Sequence, residues 1–313
     1  MSRRAVAGAL VVLGCLSLTT PASDAAEASE YVVPSLKPNL VAYYDFEHPV
    51  PGAPGREQDQ GFSGTTLDLV NGGAQMRTPG GAHSAGGTHL TTKQVTPDAP
   101  GNDDWKAGLY SPAGVPSMRA FNAVRQTTVM GWFRMSADNP APNSNTPAPG
   151  DFYNAVGLAG VLSGTSDGHG VRALLELIQV NGELKVVALG RRLDSGASQT
   201  FAAEEDWRSI LPPDEWVFLA ATFDFGTGEM ALYRNGRPLP GSYVTPGDPW
   251  QLGGPGPHVS SPTDPRGIKI GGSFPQDDRE ANPCDCGFDS LMFLDRAVTR
   301  WEVLSQYHRA VRG

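Results

Sequence analysis

The sequence predicts an all-β protein: two antiparallel sheets packed face to face, closed by one short C-terminal helix. Three observations carry that prediction. Several segments alternate their side chains between two faces, the period-2 signature of strands. Asn-Gly pairs sit between such segments, as they do in two-residue hairpins. Glycine (38) and proline (27) are abundant among 313 residues, while charged residues make up only 18%. That balance suits many short strands joined by turns.

The first strand is NLVAYYDFE, in which Leu40, Ala42, Tyr44 and Phe46 point one way and Val41, Tyr43 and Asp45 the other. A Pro/Gly-rich loop over 48–64 leads into TTLDLVNGGAQMR, which turns at Val70-Asn71-Gly72-Gly73. Residues 79–118 hold many turn formers and predict loops with short strands. In RQTTVMGWFRM, Met130 and Trp132 oppose Val129, Phe133 and Met135. Residues 137–151, ADNPAPNSNTPAPGD, look like a linker but read better as a long surface loop, because the strands on either side need one core. ALLELIQV and ELKVVAL form a hairpin about Asn181-Gly182, which supplies the two positive φ angles of a type I′ turn.

The same logic repeats in DEWVFLAATFDFGTGEMALYRNGRPLP. Trp216 to Phe223 is a strand buried on both faces, Gly226-Thr227-Gly228 turns it, and Met230 to Arg234 returns. Asn235-Gly236 turns the chain again and sets the register of Tyr233. Residues 245–267 are another Pro/Gly loop, and GIKIGGSF and FDSLMFLD are the last strands. Thr299 and Glu302 make a capping box for the final helix. On it Trp301, Leu304 and His308 share a face, with Val303 and Tyr307 beside it, which predicts a lid on one edge of the sandwich.

The N-terminus reads as a secretory signal over residues 1–28. Arg3 and Arg4 give a positive start, Ala5 to Leu18 an apolar stretch too short to span a bilayer, and small residues offer cleavage after Ala25 or Ala28. Val12-Leu13-Gly14-Cys15 resembles a lipobox, so a chain anchored by lipid on Cys15 is the alternative to a secreted one. No second apolar segment reaches membrane-spanning length. Beyond Cys15 the cysteines are Cys284 and Cys286, in NPCDCGF; in an exported protein such a pair predicts a disulfide, with a redox site or metal clip as the sharper reading. A net charge of −9 excludes nucleic acid and anionic membrane surfaces as main partners.

LPPDEWVFLAATFDFGTGEMALYRNGRPL resembles the signature strand pair of laminin-G-like (LamG-like), concanavalin A-like jelly rolls, a Trp-opened strand followed by a Tyr-x-Asn-Gly hairpin. GFDSLMFLDRAVTRWEVLSQYH resembles that family's closing segment, with Arg296-Ala297-Val298 at its corner, and NLVAYYDFE and LDLVNGGA resemble its opening. The resemblance spans residues 38–311 and implies a two-sheet antiparallel jelly-roll β-sandwich. It implies that Trp216, Phe218 and Leu219 fill the space between the sheets, each contributing about 1.5–3 kcal/mol by burial. It further implies binding to a glycan or an extracellular protein, and a structural calcium ion held by Asp45 and Asp289, which the terminal strands bring close, with Asp68 and Asn71 offering further oxygens. The bland reading of Asp289 is a bond to turn amides.

A sugar site wants an aromatic platform, and Trp105, Trp207 and Trp250 lie in polar, loop-like stretches where each either stacks on a sugar or plugs a loop. A hydrolase or lyase on the same fold is the alternative. Glycoside hydrolysis needs two carboxylates roughly 5–10 Å apart. The candidates Glu204, Glu205 and Asp206, Glu176, and Asp277, Asp278 and Glu280 lack the spacing that would set two on one strand face, so no catalytic residue is assigned. A purely structural cell-envelope or partner-binding domain is the third reading.

Overall fold

In the computed structural model the described residues are 31–82, 87–96, 103–121, 124–137, 155–162, 171–191, 198–224, 227–244, 266–272 and 283–312. The strands in chain order are β1 (Leu40–Tyr44), β2 (Pro49–Val50), β3 (Ala53–Glu57), β4 (Leu67–Val70), β5 (Arg77–Pro79) and β6 (Thr88–Thr92). There follow β7 (Lys106–Tyr110), β8 (Gln126–Met135), β9 (Ala155–Leu162), β10 (Val171–Val180), β11 (Glu183–Arg191) and β12 (Ser198–Ala203). A single helical turn, α1 (Trp207–Ile210), precedes β13 (Trp216–Asp224), β14 (Glu229–Arg234), β15 (Arg237–Pro238) and β16 (Gly241–Tyr243). The chain closes with β17 (Gly267–Ile270), β18 (Cys286–Leu294) and α2 (Arg300–Arg312).

Two antiparallel sheets form the predicted sandwich. The first has eight strands in the order β15-β14-β13-β8-β18-β6-β5, with β1 also on β18; the second has ten, β16-β12-β11-β10-β9-β17-β7-β4-β3-β2. Strand β18 serves two partners on one edge: Cys286–Phe288 pairs with β6, and Leu291–Leu294 with β1. The change of partner falls at a bulge between Asp289 and Met292, where Ser290 takes a φ of 50°. Gly131 on the neighbouring strand admits that bulge, because a Cβ there would lie 2.6 Å from the Leu291 side chain. Both Asn-Gly turns form as predicted, with φ of 53° and 88° at Asn181-Gly182 and 49° and 77° at Asn235-Gly236.

Alternation sorts the apolar residues into two layers. Val129, Phe133 and Met135 face the second sheet, while Met130 and Trp132 face outward, as the sequence predicts. Strand β13 corrects one expectation. Val217, Leu219, Ala221 and Phe223 fill the space between the sheets, whereas Phe218 and Ala220, with Trp216 packed beside them, belong to the outer cluster. A second correction concerns β1, where a bulge between Leu40 and Ala42 turns Leu40 outward and admits Val41 to the main core.

The outer cluster exists because α2 lies across the face of the first sheet and not along its edge. Val303 and Ala310 pack with Met130, Trp132, Phe218 and Leu294, and Tyr307 sits 5.9 Å from Trp132 and 6.2 Å from Phe218 between ring centroids. The buried stripe is therefore Val303, Gln306 and Ala310, with Tyr307 beside it. The capping box forms: Thr299 N donates to Glu302 Oε2 (3.0 Å), and Glu302 N to Thr299 Oγ1 (3.3 Å). Arg296 grips both oxygens of Glu302 (2.9 and 2.6 Å) and also bonds Asn39, so the corner before α2 is tied to the start of β1. Gln306 completes the tie, accepting from Val33 N (2.9 Å) and donating to the Tyr31 carbonyl (2.7 Å). The predicted signal over residues 1–28 with Cys15, residues 138–151 of the long loop, Trp250, and Asp277, Asp278 and Glu280 lie outside the described residues.

Candidate functional sites: an acidic network and an arginine groove

The residues proposed for calcium divide between the sheets: Asp45 and Asp289 lie within electrostatic reach of each other by the paired β1 and β18, while Asp68 and Asn71 belong to β4 and its turn on the other sheet. Asp45 follows β1 and accepts from His48 Nδ1 (2.8 Å) and from Glu47 N (3.2 Å). That bond to Asp45 is the chief reason the His48 imidazole titrates above its ordinary value. Asp289, at the bulge in β18, accepts from Ala82 N (2.7 Å) and from Ser290 Oγ (3.0 Å). Burial pushes its carboxyl up to about 7, with the negative charges of Asp45 and Glu47 adding to the effect. Asp68, half exposed, pairs with Arg56 (2.9 Å), and Asn71 donates to the Asp104 carbonyl (2.8 Å) on the other sheet.

These four residues do not fit a calcium site. Calcium wants six to eight oxygens free to turn on one point. Here both oxygens of Asp289 already accept hydrogen bonds, and Asp68 serves an arginine.

Among the described residues the nearest approach to a metal set is Asp45, His48 and Glu57, whose ligand atoms lie within 4.8 Å of one another. A cation of the chain's own is already there. Arg77 on β5 bonds the fully buried Glu57 on β3, and also caps the Pro54 and Arg56 carbonyls. Because β3 and β5 belong to different sheets, this pair fastens one sheet to the other. Burial still outweighs the guanidinium and raises the Glu57 carboxyl to about 7.

The tryptophans sort differently from their sequence surroundings. Trp207 is buried in the main core under its own Arg208, so it cannot meet a ligand. Trp105 packs against the same core, with Lys93 Nζ 3.9 Å over its ring and Gly72 beneath, where a Cβ would come within 2.6 Å of the indole. Both plug loops. Glu204, Glu205 and Asp206, considered for hydrolysis and set aside on their spacing, are exposed, and Asp206 caps α1 through Arg208 N (2.9 Å). Cys284 and Cys286 lie sulfur to sulfur beside Met135, their Cα atoms 5.2 Å apart.

Two aromatics among the described residues stand well into solvent, Phe62 in the loop before β4 and Trp301 on the first turn of α2, the latter with 62% of its surface exposed. Trp301 borders an open groove of about 700 Å³ between α2 and the β14–β15 turn. Arg234, Arg237 and Arg300 line this groove with Tyr307 and His308, and among the described residues no carboxylate does. One wall is set by Gly236, where a Cβ would come within 2.9 Å of Leu304 Cα, so the turn lies directly on the helix. The sequence held a signal for Trp301 that the face assignment missed. Val303 is buried, and Trp301, two residues before it, falls about 200° round the helix, on the far side.

No protein-family model matches the sequence, and neither does any curated protein. Among solved structures the chain is similar to the botulinum neurotoxin type G receptor-binding domain, with a TM-score of 0.51 and 10% identity over 86% of this chain and 51% of that one. It is similar also to the neurotoxin DC binding domain solved with SialylT (TM-score 0.52, 10% identity, 88% and 52%) and to that domain solved with rat synaptotagmin II (0.53, 10%, 88% and 52%). The chain spans about half the length of these neighbours. Identity this low shows a shared β-sandwich fold and nothing finer.

Proposed function

We propose that this protein is an exported, non-catalytic carbohydrate-binding or adhesion module, built on a LamG-like jelly roll over residues 38–311. The observation that carries the reading is the groove at α2: a concave site of ligand-binding size with an exposed indole at its rim and polar donors along its wall. The signal-like residues 1–28 support export, and the lipobox-like stretch at Cys15 makes a lipid-anchored form the alternative. The neighbours that bind SialylT and synaptotagmin II support a glycan or protein ligand for a sandwich of this kind. Of the carboxylates considered for hydrolysis that are described, Glu204, Glu205 and Asp206 are exposed at a helix cap and Glu176 stands singly on a strand, which favours binding over turnover.

The test is a glycan and polysaccharide binding screen of the chain, run in calcium and again in chelator. We expect a bound glycan in both buffers and its loss in Trp301→Ala. Silence across the whole screen would overturn the reading and leave a structural envelope domain in its place.

A further inference from the structure

The groove's charge is opposite to that of the protein around it. The chain carries a net charge of −9, yet three arginines and a histidine line this one concavity, and no carboxylate joins them among the described residues. Repulsion between like charges makes such a cluster costly in an isolated protein, and an anion filling the groove removes that cost. From this the geometry points to an acidic saccharide, one bearing carboxylate or sulfate groups, as the ligand of the groove. The inference rests on the carbohydrate-binding reading above and narrows it to a substrate class.

Each lining residue has a chemical part to play. Arg237 is exposed just after the Asn235-Gly236 turn and makes no ion pair among the described residues. Arg234 donates its Nε–H to the Ile210 carbonyl (2.7 Å), which fixes the guanidinium plane and leaves its terminal amino groups for a ligand. A planar guanidinium offers paired donors that match the two oxygens of a carboxylate or sulfate. Arg300 lies 4.4 Å over the Trp301 ring, so it covers one face of the indole and leaves the other for the C–H face of a sugar. Tyr307 anchors the floor through Trp132 and Phe218, which makes the groove a preformed feature of the sandwich.

Other polyanions match less well. A membrane surface calls for protruding apolar side chains, whereas this site is concave, and the protein's net negative charge opposes anionic lipid and nucleic acid over any wide contact. A saccharide is narrow enough to feel the groove and little of the surrounding field.

The experiment measures binding of the full chain to oligogalacturonate and a sulfated glycosaminoglycan fragment, each beside its methyl-esterified or desulfated counterpart. Anionic vesicles and single-stranded DNA serve as competing classes. We expect an acidic sugar to bind at least tenfold tighter than its neutral counterpart, about the worth of one charge-assisted bond, with the preference shrinking as salt rises. Arg237→Ala with Arg300→Ala removes that preference, and Lys37→Ala, exposed near the N-terminus, leaves it intact. Which of the two acidic sugars binds distinguishes carboxylate from sulfate recognition. If neutral sugars bind as well as acidic ones and the arginine variant is unchanged, this inference fails while the carbohydrate-binding reading stands. Vesicles or DNA outcompeting every sugar would overturn the substrate class, and no glycan binding at all would overturn both.

Discussion

Two clusters of charge sit on this sandwich, and they are built in opposite ways. Around Asp45, His48, Glu57 and Arg77 the polar groups are buried and already matched to one another, each carboxylate holding a hydrogen-bond donor. In the groove at α2 the guanidinia of Arg237 and Arg300 reach solvent beside an exposed indole, and among the described residues no acid lines the groove with them. The acidic network therefore acts within the chain, fastening β3 to β5, while the groove is free to act on something outside it. Closeness of ionisable groups does not separate a staple from a site. What separates them is whether the donors and acceptors are already satisfied.

The comparison breaks first if the network is not a staple. Replacing Arg77 with alanine leaves Glu57 wholly buried without its cation, and removal of one partner from a buried pair costs about 3–5 kcal/mol. The loss depends on pH. With the Glu57 carboxyl raised to about 7 even beside Arg77, the group is protonated and needs no counter-charge at pH 5, but is charged at pH 8. Urea melts of Arg77→Ala should show the large loss at pH 8 and a much smaller one at pH 5. Equal losses at both values would mean that Arg77 works by packing and not by charge.

Asp289 sharpens the same point with a smaller effect. Its folded carboxyl stands at about 7 against an ordinary value near 4. A raised carboxylate binds its proton more tightly folded than unfolded, so its stabilisation is complete below about pH 4 and is lost as pH rises toward 7. Over that window the slope approaches about 1.4 kcal/mol per pH unit. Asp289→Asn has no proton to lose, so its stability relative to wild type should climb between pH 4 and 7 and level off above. His89, lowered to about 4 chiefly by burial, pulls the other way in both proteins and cancels in the difference. Should calcium raise the wild-type melting temperature and not the variant's, Asp289 would be a ligand after all.

How much of this was legible in advance differs between fold and site. Alternation placed Val129, Phe133 and Met135 opposite Met130 and Trp132, and the Asn-Gly pairs placed two turns, because these signals are local. The strand over Trp216–Phe223 reads as buried on both faces, and the resemblance puts Trp216, Phe218 and Leu219 together between the sheets; the helix, which buries Phe218 from outside, is what separates it from Leu219. The bulge at Leu40 is likewise a matter of partners, not propensity. The groove was illegible for a stronger reason. It exists only where Gly236 meets Leu304, a contact between a hairpin turn and a helix far along the chain. Tryptophans in polar loops drew the attention that belonged to one on a helix.

Trp301 gives the smallest effect on stability and the cleanest contrast. Trp207 is 3% exposed in the core, and its replacement by alanine belongs with large-to-small core changes that cost about 3–5 kcal/mol. Trp301 keeps most of its surface in water, and exposed substitutions of that kind fall within about 0.5 kcal/mol. Trp301→Ala should therefore melt with wild type in thermal and urea denaturation while losing whatever binds the groove. Its ring partner among the described residues, Arg300, makes a solvent-exposed cation–π contact worth about 0.5–1 kcal/mol. A destabilisation well beyond that would show that the indole supports the helix, and the groove would then have no platform to offer a sugar.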